Sequence, residues 1–426
     1  MHKIIKFITY LSFIFIWVNP SLAIINQLPQ NDAVEWPTNT WPENLKEIDD
    51  EGFSAIINYT FSDNSYDALG RTNALLIIQD GSIVYEKYNS PITKDTKLVS
   101  YSMAKSYIGL LTGMMIDRGI ILSKDETNLL PSWDDNRKHI SIGHMLNMQS
   151  GLDYVEEYDL GGRSDTLEML FGQGRFDQAG FASSMKLKTP LPGMKYNYST
   201  GETNILSQII KTRLEVQGID YLDFIKGNLV EKIGIKNSIF EFDNSGTFIG
   251  GSSIFANARD YARFGYLYLR DGVWDGERIV SKEWIDDTRT PAKNSYQLYS
   301  NQFWMPYPAF TRGLPKDTYY AAGFGGQYIL IIPSKDMIVV RLGETYVEDD
   351  KVLGLVTWIT HGLPKHGLFE LDRICIMTNA RERGIGKKLV TALIDDAQNW
   401  FKKRHGEARK LYLLTHEYNN LSLIHI

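Results

Sequence analysis

Ser102-Met103-Ala104-Lys105 puts a hydroxyl and an amine three residues apart at the start of an apolar run. In a helix this spacing brings both side chains to one face. Burial disfavours the ammonium form, so an amine held there can accept the neighbouring hydroxyl's proton near neutral pH. Ser102 and Lys105 are therefore a candidate nucleophile and base for attack on a carbonyl, with the helix N-terminus favouring the developing negative charge. The spacing alone is a weak signal, since Ser183-Ser184-Met185-Lys186 also matches it. Context separates the two, because a nucleophile needs a rigid element and an oxyanion donor as well as a base within reach.

That context is built by strands and helices on either side. Ala74 to Ile78 and Ile83 to Tyr88 are β-rich runs joined through Asp80-Gly81, a hairpin signal. Tyr107, Leu110, Leu111 and Met114 recur at helical spacing until Gly119, which suits a C-terminal cap. Ser102 is thus expected at the first turn of a buried helix under a sheet. Downstream, Tyr328 to Ile332 and Met337 to Leu342 read as strands turned by Pro333 to Asp336, and Ala258 to Arg270 reads as a helix closed by Asp271-Gly272. Val352 to Thr360 is expected to be a closing helix, completing this body by about Pro364.

These residues resemble the serine β-lactamase and penicillin-binding superfamily, and within it the β-lactamase-like esterases and 6-aminohexanoate-dimer hydrolases. The likeness runs from about Ala74 to Leu342. It extends beyond Ser102 and Lys105 to Leu146–Leu152 (LNMQSGL), Gly250 to Phe264 and Asp271-Gly272-Val273-Trp274. The resemblance implies an α/β fold, an antiparallel sheet flanked by helices plus an all-helical lobe, with the site at their junction. It also makes Tyr198 the phenol that shuttles protons between Ser102, Lys105 and the leaving group. Tyr196 is a rival two residues away. Thr200 stands where the family's Tyr-x-Asn motif has Asn. The third family motif maps to Phe324-Gly325-Gly326, followed by Gln327, and implies an oxyanion hole from the backbone N–H groups of Ser102 and Gln327. Tyr154 and Tyr158 are pocket candidates by the same likeness.

Phe324 bears on substrate. β-Lactams and D-alanyl peptides carry a carboxylate that a cation on this strand usually receives, and Phe324 offers none. The expectation is an ester or amide hydrolase for a less acidic small molecule. The alternatives are a β-lactamase or D-alanyl-D-alanine carboxypeptidase, for which Arg312 could supply the cation, and a catalytically inactive binding protein of the same fold. No Gly-x-Ser-x-Gly elbow and no His-Glu-x-x-His pair occur in the sequence. No cofactor and no metal are expected, and a net charge of −6 carries no nucleic-acid signature.

Residues 1–23 combine Lys3 and Lys6, an apolar stretch from Phe7 to Val18 and a small-residue end at Ser21-Leu22-Ala23. They read as a secretory signal, with an uncleaved anchor as the rival because the apolar stretch is long, so either way the body is expected in the periplasm or outside the cell, with no stable membrane partner after cleavage. Residues 24–45 read as an extended lead-in and 46–364 as the hydrolase domain. From 365 to 426 the chain carries a net +4 against −10 for the remainder. Here a strand, Arg381-Glu382-Arg383-Gly384-Ile385-Gly386, a helix and a second strand resemble the acetyl-CoA-binding core of GNAT acetyltransferases. That likeness implies Arg381, Gly384 and Gly386 as a vestigial pyrophosphate motif. The fragment lacks the family's early strands, its closing residues resemble a translated transposon-type sequencing adapter, and it is read as a joining artefact.

Overall fold

The computed structural model describes residues 28–45, 51–62, 70–158, 162–306 and 314–345, with strand backbone at 354–360, 368–376, 410–413 and 423–425. The hairpin signal around Asp80-Gly81 yields β1 (Arg71–Gln79) and β2 (Ser82–Tyr88), with φ of 50° at Asp80 and 79° at Gly81. After a long excursion the chain returns to the same sheet. It adds β3 (Tyr299–Ser300), β4 (Phe303–Trp304), β5 (Tyr319–Gly323), β6 (Gln327–Ile332) and β7 (Met337–Glu344), in the order β2-β1-β7-β6-β5-β4-β3. Every pairing in it is antiparallel, and Ile78 opposite Ile338 with Leu76 opposite Val340 sets a fully buried aliphatic centre.

Three helices frame the site. The nucleophile's helix α1 (Ala104–Asp117) is buried almost throughout, α2 (Thr200–Val216) packs against it, and α3 (Ala258–Leu269) lies on the sheet over β1, β6 and β7. Small residues permit this closeness. A Cβ on Gly265 would lie 2.7 Å from Ile329, one on Gly113 would lie 2.5 Å from the Trp284 ring, and one on Gly109 would lie 2.5 Å from the Asn301 carbonyl oxygen. The lead-in is anchored rather than loose. Trp41 is buried and donates its indole N–H to the Arg259 carbonyl at 3.0 Å, and Trp36 packs on Tyr266 and Trp274.

Where a closing helix is expected at Val352 to Thr360, the described part, Gly354–Thr360, is a strand instead. β8 (Gly354–Thr360) pairs antiparallel with β9 (Leu368–Ile376), and β10 (Lys410–Leu413) and β11 (Leu423–His425) complete a second sheet. Val356, Thr357, Trp358, Ile359 and Thr360 form a run of β-branched and aromatic residues, which suits a pleated surface better than a helix turn. Residues 1–23, Arg312, Arg381, Gly384 and Gly386 lie outside the described residues.

The tight approach of α1 to residue 301 gives a test of opposite signs. Gly109→Ala should destabilise by roughly 1–3 kcal/mol through overpacking. Gly227→Ala, where an added Cβ meets nothing within 4 Å, should be neutral or stabilise by up to ~1 kcal/mol. Urea midpoints of the two variants report this, and equal shifts would contradict the packing described.

Candidate active site

Ser102 is delivered by a short, heavily tied segment. Leu98–Val99 pairs antiparallel with Ile254–Ala256, the Ser100 N–H donates to the Ile254 carbonyl at 2.8 Å, and the Ile254 N–H donates back to Ser100 Oγ at 3.1 Å. Tyr101 then takes a left-handed φ of 43°, costly for a residue with a large side chain. Ser102 follows in a single 3₁₀ turn, Tyr101–Met103, which runs directly into α1. The serine therefore precedes the first α-helical turn, and Lys105 lies inside it.

Lys105 is 1% exposed, and its amine has three partners: Ser102 Oγ at 2.9 Å, Thr200 Oγ1 at 2.9 Å and the Gly251 carbonyl at 2.7 Å. Burial lowers its pKa to about 8, and the negative charge of Glu156 opposes that fall. The second Ser-x-x-Lys has no such surroundings: Ser183 Oγ is spent on the Gly180 carbonyl, and Lys186 is exposed.

Tyr198 faces the same pair. Its hydroxyl is close enough to Ser102 to be influenced by it, and its ring lies 5.1 Å from the lysine nitrogen, tilted on Trp304 with centroids 5.3 Å apart. Burial of the hydroxyl end, reinforced by Glu156, pushes its pKa well above the ordinary phenol value, so Tyr198 holds its proton at neutral pH. Tyr196 does not compete: its hydroxyl has no hydrogen-bond partner, and its ring packs edge-on against Tyr299. Ser199 explains the register. As N-cap of α2 it accepts from the Glu202 N–H at 3.1 Å, fixing Tyr198 and Thr200 on either side of the helix start.

The glycine strand departs from expectation at Gln327. This residue is the ladder partner of Gly323, and its buried amide donates to the Phe324 and Gly343 carbonyls while accepting from the Gly343 N–H. It locks the hairpin to β7. The residue pressed against the nucleophile is Gly323, where a Cβ would meet the Ser100 carbonyl oxygen at 2.2 Å and the Ser102 nitrogen at 3.2 Å. Gly325 and Gly326, with φ of 73° and 78°, make the turn between β5 and β6. Phe324 is bracketed by Tyr101 and Tyr158, with centroids 5.6 and 5.3 Å away, so an aromatic cluster sits on this side of Ser102. Tyr154 is a core residue, 4% exposed, with its hydroxyl on the Met169 sulfur and its ring against Gly201.

Two acidic residues were not singled out from sequence. Glu156 accepts from the Thr200 N–H at 2.7 Å, Thr200 Oγ1 at 2.5 Å, Thr166 Oγ1 at 2.8 Å and the Tyr158 hydroxyl at 3.0 Å. A carboxylate at the N-terminus of α2 is electrostatically favoured. Glu156 and Glu157 are adjacent in a loop, and no periodicity distinguishes them. Glu202 is 2% exposed and accepts from the Ser150 N–H at 3.2 Å; burial raises its pKa to about 8.

Several comparisons bear on this arrangement. The Beta-lactamase family model matches residues 69–355, and the Acetyltransferase (GNAT) family model matches 303–425. The chain is 24% identical over 318 residues to the 6-aminohexanoate-dimer hydrolase of Paenarthrobacter ureafaciens, covering 71% of this chain and 78% of that one. Among solved structures, a family VIII carboxylesterase superposes with a TM-score of 0.52 at 14% identity, covering 71% of this chain and 94% of that one. A penicillin-binding protein homologue from Caulobacter crescentus gives a TM-score of 0.53 at 13% identity with the same coverages.

Glu202 makes folding stability pH-dependent. The folded chain keeps this proton up to about pH 8, whereas the unfolded chain releases it in the ordinary carboxylate range near 4.5. Its contribution is present in full below the lower value and is lost as pH rises toward the upper one. Thermal unfolding between pH 5 and 8.5 should show a falling Tm that Glu202→Gln flattens; an unchanged slope in the variant would contradict the assignment.

Proposed function

Because the chain belongs to the Beta-lactamase family and is related to hydrolases, we propose that it is an exported serine hydrolase cleaving ester or amide bonds through an acyl-enzyme on Ser102. The observation that carries this reading is the buried Lys105 amine 2.9 Å from Ser102 Oγ, with the Tyr198 ring 5.1 Å from the same amine. In its neutral form Lys105 takes the serine proton as Oγ attacks the carbonyl. Tyr198, protonated at rest, relays a proton to the leaving group and is resupplied from Lys105. The oxyanion rests on backbone N–H groups of Ser102 and of the strand end at Gly323–Phe324, where one such donor is typically worth about 3 kcal/mol of barrier. Water then attacks the ester and releases the acid.

Phe324, set between Tyr101 and Tyr158, supports a substrate whose acyl side is uncharged and apolar. Export rests on the composition of residues 1–23.

Two outcomes follow for the full chain with p-nitrophenyl butyrate. Ser102→Ala should abolish both turnover and fluorophosphonate labelling while leaving Tm within a few degrees of wild type; residual turnover would refute the nucleophile. In the wild type kcat/KM should rise with pH through an apparent pKa near 8, because the lysine works only once deprotonated. A pH-independent rate from 6 to 10 would exclude Lys105 as the base.

A further inference from the structure

A neutral lysine amine has two N–H donors and one lone pair. For Lys105 to act as a base, that lone pair must face Ser102, so both N–H bonds must be directed elsewhere. The Gly251 carbonyl can only accept, and it takes one at 2.7 Å. It is held in place because the Gly251 N–H donates to Asn204 Oδ1 at 2.9 Å, and the Asn204 amide donates in turn to Gln178. The second N–H points at Thr200 Oγ1, a hydroxyl that can donate as readily as accept. Were it to donate to the amine, the lone pair would be consumed and Lys105 would present an N–H to Ser102.

We propose that Glu156 is a positioning residue that sets the direction of this hydrogen bond through Thr200 and so keeps the Lys105 lone pair on the nucleophile. Its carboxylate can only accept. Oε1 lies 2.5 Å from Thr200 Oγ1 and takes the hydroxyl proton, while Oε2 is fixed by the Thr200 N–H at 2.7 Å and Thr166 Oγ1 at 2.8 Å. Thr200, with its proton committed, must accept from Lys105. The chain of donors therefore runs from Lys105 to Thr200 to Glu156, and the serine proton has one destination. This also gives Thr200 a role that an Asn at the same place would fill differently: a hydroxyl can relay polarity, and a carboxamide has its donor and acceptor on separate atoms. The proposal rests on Ser102 and Lys105 acting as described above.

Glu156→Gln is a nearly isosteric test. The Thr200 N–H still requires an oxygen, so the amide oxygen replaces Oε2 and the amide nitrogen replaces Oε1. That nitrogen donates to Thr200 Oγ1, whose proton then turns to Lys105. The charged and titratable groups around the amine are Glu156 from the loop, Tyr198 ahead of α2, and Tyr158, which donates to the same carboxylate. Of these the substitution removes one negative charge, which favoured the ammonium form.

On p-nitrophenyl butyrate with the full chain, Glu156→Gln and Thr200→Val should each lower plateau kcat by about 10- to 100-fold, the scale of a misdirected general base. Thr200→Ser should recover most of the rate. The double variant should be no slower than Thr200→Val alone, because Glu156 acts through that hydroxyl. The rising limb of the pH profile in Glu156→Gln should move to lower pH even as the plateau falls, a shift that a merely structural defect would not produce. Wild-type plateau rates in both single variants, or losses that multiply in the double variant, would overturn the proposal while leaving the Ser102 mechanism standing. If wild type turns over without acylating Ser102, the mechanism itself fails and the proposal falls with it.

Discussion

An amine taken out of water must find a hydrogen-bond acceptor for each donor it keeps, and Lys105 is the place where this constraint organises the protein. Its three partners come from three separate parts of the chain: Ser102 one turn earlier, Thr200 at the start of α2, and Gly251 in the turn before the strand at Ile254–Ala256. Each partner is itself anchored. Ser102 follows the pairing of Leu98–Val99 with Ile254–Ala256, Thr200 is set by the Ser199 cap and Glu156, and Gly251 is held by Asn204. The same burial that lowers the lysine pKa thus fixes the relative positions of α1, α2 and the sheet-side loop.

The surroundings are built for rigidity at short range. Gly109 and Gly113 let α1 sink against residue 301 and Trp284, and Gly323 lets β5 touch the backbone at Ser100 and Ser102. Left-handed backbone at Tyr101, immediately before the nucleophile, holds the serine in a 3₁₀ turn rather than in the helix proper. Such a conformation persists only where neighbours on both sides over-determine it. The two hydrogen bonds between Ser100 and Ile254 on one side and the buried helix on the other do so.

What could be read from the sequence divides along the range of the interactions. The Ser102–Lys105 pair, the Asp80-Gly81 hairpin and the Pro333 to Asp336 turn are local patterns, and each appears where spacing and turn chemistry put it. Tyr198 required family register, because the chain has 24 tyrosines and two lie only two residues apart in this stretch; the N-cap at Ser199 is the local signal that orders them. Glu156 was not legible at all, since its importance comes from contacts 10 and 44 residues away with Thr166 and Thr200. Gln327 was placed by family motif for its backbone N–H; its side-chain amide, which the sequence did not assign, closes the hairpin onto Gly343, and the backbone that meets Ser102 is at Gly323. At Gly354–Thr360 β propensity and strand pairing override the helix expected from domain order.

The central claim is that catalysis passes through an ester on Ser102. Its most direct test is a rapid-quench time course of a single turnover of p-nitrophenyl butyrate by the full chain, with peptide mapping by mass spectrometry at each time. The account predicts a butyryl group on the peptide carrying Ser102 that forms and decays at rates consistent with kcat. Product appearing while Ser102 stays unmodified throughout, or an acyl group on a different side chain, would contradict it.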